Sequence, residues 1–218
     1  VNASERYLVA GMGDAMATWY EARVCEDNPI TSNLVGCRPT LAASALSEKC
    51  AQTLFEHGVA AADNVRNNKN SDSVEKVVEA NTLLSGIGFE SGGLALAHPL
   101  ANSYTEITRL NKKYLHGEMV AMGTLAQLAM ESSKDLEKVT KFFIDVGLPV
   151  NLEQLSMSPL QKSEIDIVIE TAFKNPLIKN MNFEVSKELI LDSIKKADEV
   201  GTHFVRKYGD EAYRRLHG

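Results

Sequence analysis

Apolar residues recur at three- and four-residue spacings along nearly the whole chain, and no run alternates apolar and polar positions over the length of a strand. That period predicts helices throughout, so the fold class expected is all-α. The first helix is expected to start near Asp14, after a sharp turn at Gly11-Met12-Gly13, and to carry Met16, Trp19, Tyr20 and Val24 on one face. Pro29, Gly36 and Pro39 mark the loop that follows it. A second helix should open at Pro39-Thr40 and run through Leu41, Leu46, Cys50 and Leu54 to the polar break at residues 67–70. Asp72 with Glu75 three residues on reads as a capping box ahead of Val74, Val77, Val78 and Leu84, with the helix ending at Gly86. Residues 86–93, Gly-Ile-Gly-Phe-Glu-Ser-Gly-Gly, read as a flexible segment leading into a stretch that ends near Thr108. Further helices are expected over residues 116–130, 134–146, 159–173 and 186–208. No internal repeat or linker divides these segments, which predicts one helical bundle over residues 1–218.

Composition narrows the possible partners. A net charge of -6, with Lys and Arg scattered, offers no basic footprint for nucleic acid or an anionic membrane, so neither is expected as a partner. No window reaches the roughly 20 apolar residues of a membrane span, and the start of the chain lacks the pattern of a secretory signal. Cys25, Cys37 and Cys50 are odd in number and lack Cys-x-x-Cys spacing, which predicts reduced thiols and a cytoplasmic location. Val1 in place of an initiating methionine fits a processed chain or a fragment.

Among the five histidines, His98 and His116 lie in two helical segments separated by a predicted turn, an arrangement able to bring both imidazoles together. Two imidazoles and one carboxylate, with Asp14 as the carboxylate, would make a three-ligand zinc site that leaves a position open for substrate. On spacing alone two other readings stand beside it: Asp14 as the N-cap of a helix, and the histidines as packing residues. Gly86, Gly88 and Ser91 imitate part of a dinucleotide fingerprint, but they follow a helix rather than a strand and lack the third glycine. His57, His203 and His217 read as helix-end or surface residues, and Trp19, Met119, Met122 and Met130 as core.

Longer matches decide between these readings. Residues 13–23, Gly-Asp-Ala-Met-Ala-Thr-Trp-Tyr-Glu-Ala-Arg, resemble the segment that bears the aspartate ligand in glycerol dehydrogenases of the iron-containing alcohol dehydrogenase family. Residues 80–98, ending Gly-Gly-Leu-Ala-Leu-Ala-His, resemble the segment bearing that family's first histidine ligand, and Tyr114-Leu115-His116-Gly117-Glu118 the second. The resemblance implies Asp14, His98 and His116 as metal ligands and catalytic residues, with Phe89, Asp14 and His98 contacting substrate. It lapses at residues 99–101, where glycerol dehydrogenases often carry another histidine and this chain has Ala101.

The resemblance further implies a helical metal- and substrate-binding domain, Zn2+ as cofactor with iron as the competing ion, and NAD in the full-length enzyme. Its substrate would be glycerol or a similar small polyol, and the protein a homo-oligomer. From Val77 through Thr108 there is no Lys or Arg, which favours a neutral polyol over a phosphorylated substrate. The family's preceding Rossmann-like NAD-binding domain is not expected in these residues, so low activity is expected of the chain by itself. The competing expectations are a truncated, non-catalytic module for metal binding or oligomerisation, and a helical interaction protein without metal.

Overall fold

The computed structural model describes residues 4–218. Among the described residues the chain is helical and forms no strand, as the periodicity predicts. The α-helices are α1 (Glu5–Asp27), α2 (Leu41–Arg66), α3 (Asp72–Glu79), α4 (Ser85–Gly92), α5 (Ala97–Thr105), α6 (Thr108–Lys113), α7 (His116–Met130), α8 (Leu136–Val146), α9 (Lys162–Lys174), α10 (Lys187–Tyr208) and α11 (Glu211–His217). A π-helical turn, Ala80–Leu84, joins α3 to α4, and a 3-10 turn, Pro176–Asn180, follows α9.

The sequence of α7 puts it at the centre. It is apolar all round and buries every residue from Gly117 through Leu128, so it must be enclosed on all sides. Its neighbours are α1, α5, α8 and α10, while α2 packs across α1 and α4. Met119 and Met122 are core residues, as expected, and Trp19 is partly buried against the same core.

Helix ends follow local chemistry. Thr40 Oγ1 accepts the Ala43 N–H at the start of α2, and Ser186 Oγ accepts the Leu189 N–H at the start of α10. Ser71, one residue before the expected Asp72, caps α3 through its hydroxyl and the Val74 N–H. Gly147 closes α8 in a left-handed conformation, φ 95°, which a Cβ would disfavour.

Two expectations are corrected. The first helix begins at Glu5, and Gly11-Met12-Gly13 lies inside it rather than forming a turn. Asp14 is therefore a mid-helix residue and its reading as an N-cap falls. Residues 86–93 are likewise helical as far as Gly92 rather than flexible, continuing from α3 through the π turn. In both places glycine provides closeness rather than a bend. A Cβ on Gly13 would lie under 3.0 Å from the Gly117 carbonyl oxygen, and one on Gly88 would meet Ser47 Oγ and Thr18 Cγ2 at similarly forbidden range.

Candidate metal centre

Asp14 stands in the middle of α1, His98 in the first turn of α5 and His116 at the first residue of α7. Close helix crossings bring them together. A Cβ on Gly117 would fall under 3.0 Å from the Ala10 carbonyl oxygen of α1, and one on Gly123 would do the same to the Ala97 carbonyl oxygen of α5. α7 therefore touches the backbone of both partner helices beside the residues of interest. One ligand-type atom from each of Asp14, His98 and His116 lies within 4.8 Å of the other two. The His98 and His116 rings are 5.7 Å apart between centroids.

His98 is buried and its ring is held on both sides. Nε2 lies 3.1 Å from Asp14 Oδ1, and Nδ1 lies 2.5 Å from Glu21 Oε2. The other oxygen of Glu21, Oε1, accepts the N–H groups of Ala95 at 2.9 Å and His98 at 3.1 Å. Gln127 Oε1 takes those of Leu96 and Ala97 at 3.0 and 3.1 Å. The N–H groups that a helix start leaves unpaired are thus met at α5 by side chains from α1 and α7. Phe89, half-buried on α4, sets its ring edge-on to His98 at 5.4 Å.

Charge in the cluster is mutually dependent. Burial opposes ionisation of Asp14, yet the hydrogen bond and charge of His98 hold its carboxyl below the usual range. Burial likewise opposes charging of His98, but Glu21 and Asp14 outweigh it and push its pKa up to about 10. Burial lowers the pKa of His116 against the pull of Asp14, leaving it a neutral imidazole. Two carboxylates around these rings favour positive charge there, and a divalent cation carries such charge. One carboxylate and two imidazoles suit zinc or ferrous iron, so the donor set fits the expected metal.

Sequence reasoning missed Glu21 and Gln127. Glu21 is seven residues after Asp14, two helical turns along the same face, and it lies within the stretch that carries the resemblance. His217 is the helix-end residue expected, last in α11 with Nδ1 donating to the Tyr213 carbonyl at 2.8 Å, but it is not on the surface: its side chain is only 4% exposed and Nε2 lies 3.0 Å from Glu118 Oε1. Arg6 Nε and Nη2 donate to the two oxygens of the same carboxylate at 2.7 and 2.8 Å, and the Leu115 N–H donates to it at 2.8 Å. Burial would raise the pKa of Glu118, but these donors hold it at about 2. Both ends of the described chain thereby grip the first turn of α7, where His116 sits. His57 lies within α2, with Nδ1 3.3 Å from Ser73 Oγ, and His203 is exposed on α10.

This bundle is the helical C-terminal fold of iron-containing alcohol dehydrogenases. No family model matches the chain. It is 42% identical over 202 residues to the glycerol dehydrogenase of Thermotoga maritima, covering 91% of this chain and 55% of that protein. It is 39% identical to the glycolaldehyde reductase of Halobacterium salinarum over the same shares of the two chains. The crystal structure of glycerol dehydrogenase from Schizosaccharomyces pombe superposes with a TM-score of 0.88 at 32% identity, covering 95% of this chain and 53% of that one. The chain belongs to the iron-containing alcohol dehydrogenase family and is similar to the helical C-terminal portion of its glycerol dehydrogenases. It spans about half the length of the curated relatives it matches.

Proposed function

We propose that the chain is the metal-holding part of a zinc-dependent polyol dehydrogenase that oxidises glycerol or a related vicinal diol to the hydroxyketone, with NAD as oxidant. The observation that carries this reading is the convergence of Asp14, His98 and His116 within 4.8 Å. Asp14, His98 and His116 would hold the cation. When bound, zinc supplies Lewis acidity toward a diol hydroxyl and NAD supplies the oxidising equivalent.

The chain's own residues then have definable tasks. The acidic side chain of Asp14 and the neutral imidazole of His116 flank the place where a hydroxyl must lose its proton. Phe89 offers an apolar ring beside His98, which excludes water from one side of a bound polyol and suits its carbon backbone. No Lys or Arg is available between Val77 and Thr108 to favour a phosphate instead. Glycolaldehyde, named for one relative, belongs to the same class of small hydroxylated compounds.

Metal content by mass spectrometry tests the reading, comparing the chain with a His98→Ala, His116→Ala double variant. One zinc per chain, lost in the double variant, is the expected result; ferrous ion in its place changes the metal and keeps the site. A wild-type chain that stays metal-free in excess zinc overturns the reading. Turnover with glycerol and NAD should need the nucleotide-binding part of a full dehydrogenase, and robust turnover by this chain alone would refute that dependence. Zinc bound with no turnover in the presence of such a part would favour a non-catalytic metal module.

A further inference from the structure

Glu21 is a fully buried acid, 0% exposed, on an otherwise apolar stretch of α1, and nothing in the proposed chemistry uses it directly. A buried carboxylate is costly unless both oxygens are hydrogen-bonded, and Glu21 has three donors: the Ala95 and His98 N–H groups at Oε1 and His98 Nδ1 at Oε2. The carboxylate facing Nδ1 at 2.5 Å accepts a hydrogen bond from it, and in the metal-free chain Nε2 donates to Asp14 at 3.1 Å; a cation on the Asp14 side displaces only the Nε2 proton and leaves Nδ1–H on Glu21. The same carboxylate also fixes the backbone from which the ring springs.

We infer that Glu21 is the positioning residue of the site, setting both the tautomer and the orientation of His98 so that Nε2 faces the cation. The inference rests on the metal reading proposed above. It defines what a substitution must do. In Glu21→Gln the amide oxygen stays with the two backbone N–H groups, so the NH2 turns toward Nδ1. A ring that accepts from that NH2 carries its proton on Nε2 and presents N–H where the cation requires a lone pair. Glu21→Asp retains the charge at shorter reach.

Two readouts test this on the whole chain. In nitrogen-resolved NMR of the metal-free protein, His98 Nδ1 should show the shift of a protonated ring nitrogen in wild type and move to the unprotonated range in Glu21→Gln, a change that loss of packing at constant tautomer does not produce. In competition with a chromophoric chelator, zinc affinity should fall about 10- to 100-fold in Glu21→Gln, as for outer-sphere partners of ligating histidines, and by less in Glu21→Asp. Should Glu21→Gln fail to fold by circular dichroism, the nitrogen shifts of wild type decide alone: a His98 whose Nδ1 is the unprotonated nitrogen in the zinc-loaded chain overturns the inference. Zinc binding and an Nδ1 shift that Glu21→Gln leaves unchanged overturn the inference alone. A wild-type chain that binds no zinc overturns the proposed function and this inference with it.

Discussion

Gly13 and Gly117 face each other across the crossing of α1 and α7, so closely that a Cβ on Gly13 would lie under 3.0 Å from the Gly117 carbonyl oxygen. Each is the chain neighbour of a candidate ligand, Asp14 or His116. The distance between those side chains is therefore set by two residues with no side chain of their own.

Gly117→Ala tests that dependence. The obstacle to its Cβ is the Ala10 backbone carbonyl, which cannot rotate away, so the helices must separate. Overpacking of this kind costs about 1–3 kcal/mol, which exceeds the gain of roughly 1 kcal/mol from replacing glycine by alanine in a helix. A lower urea midpoint and weaker zinc binding are expected together. A midpoint equal to or above wild type would show that the crossing is not tight.

Glu118 ties Arg6, the Leu115 backbone and His217 to the first turn of α7. Replacing it with Ala removes three sets of hydrogen bonds at a carboxylate only 2% exposed, and should cost about 3 kcal/mol, the low end of the range for breaking a buried pair because Arg6 is partly exposed. Hydrogen exchange should quicken first in α11, which buries no residue of its own fully. If α11 remains as protected as in wild type, the latch is not what holds it.

The cysteines make a prediction about pH. Burial pushes the thiols of Cys25 and Cys50 up to about 12 from an ordinary value near 9, whereas Cys37 is exposed. A raised acid contributes stability that is present below the unfolded value and lost as pH rises through the folded one. Melting temperature should therefore decline between about pH 9 and pH 12. At pH 8 a maleimide should label one thiol in the folded chain and three after denaturation; rapid labelling of more than one would contradict the burial.

Metal removal should be visible in stability. At free zinc 100 times its Kd, binding to the folded state alone adds about 2.7 kcal/mol. Chelation should lower the melting temperature of wild type and leave His98→Ala unmoved. Equal melting of wild type with and without chelator would count against the site.

Much of the fold was legible because a 3.6-residue period is written into almost every segment, and α7 and α10 appear at their expected bounds within a residue. Glycine was where reading failed. A glycine in a turn and a glycine at a helix crossing look alike locally, since the difference lies in a partner remote in the chain: Gly117 for Gly13, Ser47 for Gly88. The short, polar α11 carries no apolar stripe, which is why the burial of His217 was missed. Asp14, His98, His116 and Phe89 came from the motif resemblance, and the structure gathers the other three around His98. Glu21 escaped because periodicity treats an acid as solvated; only its two-turn spacing from Asp14 hinted otherwise.

Asp14 and Glu21 are synthesised before their shared partner, since His98 follows Asp14 by 84 residues and Glu21 by 77. Until α5 emerges, α1 carries two acids with no imidazole to meet, on a helix whose remaining face is mostly apolar. Closing a loop of that length restricts an unfolded chain by about 4–5 kcal/mol, so the contact forms late and only once α1, α5 and α7 have docked. A centre of this kind reports completed folding: whatever occupies it meets a finished bundle or finds half a set of donors.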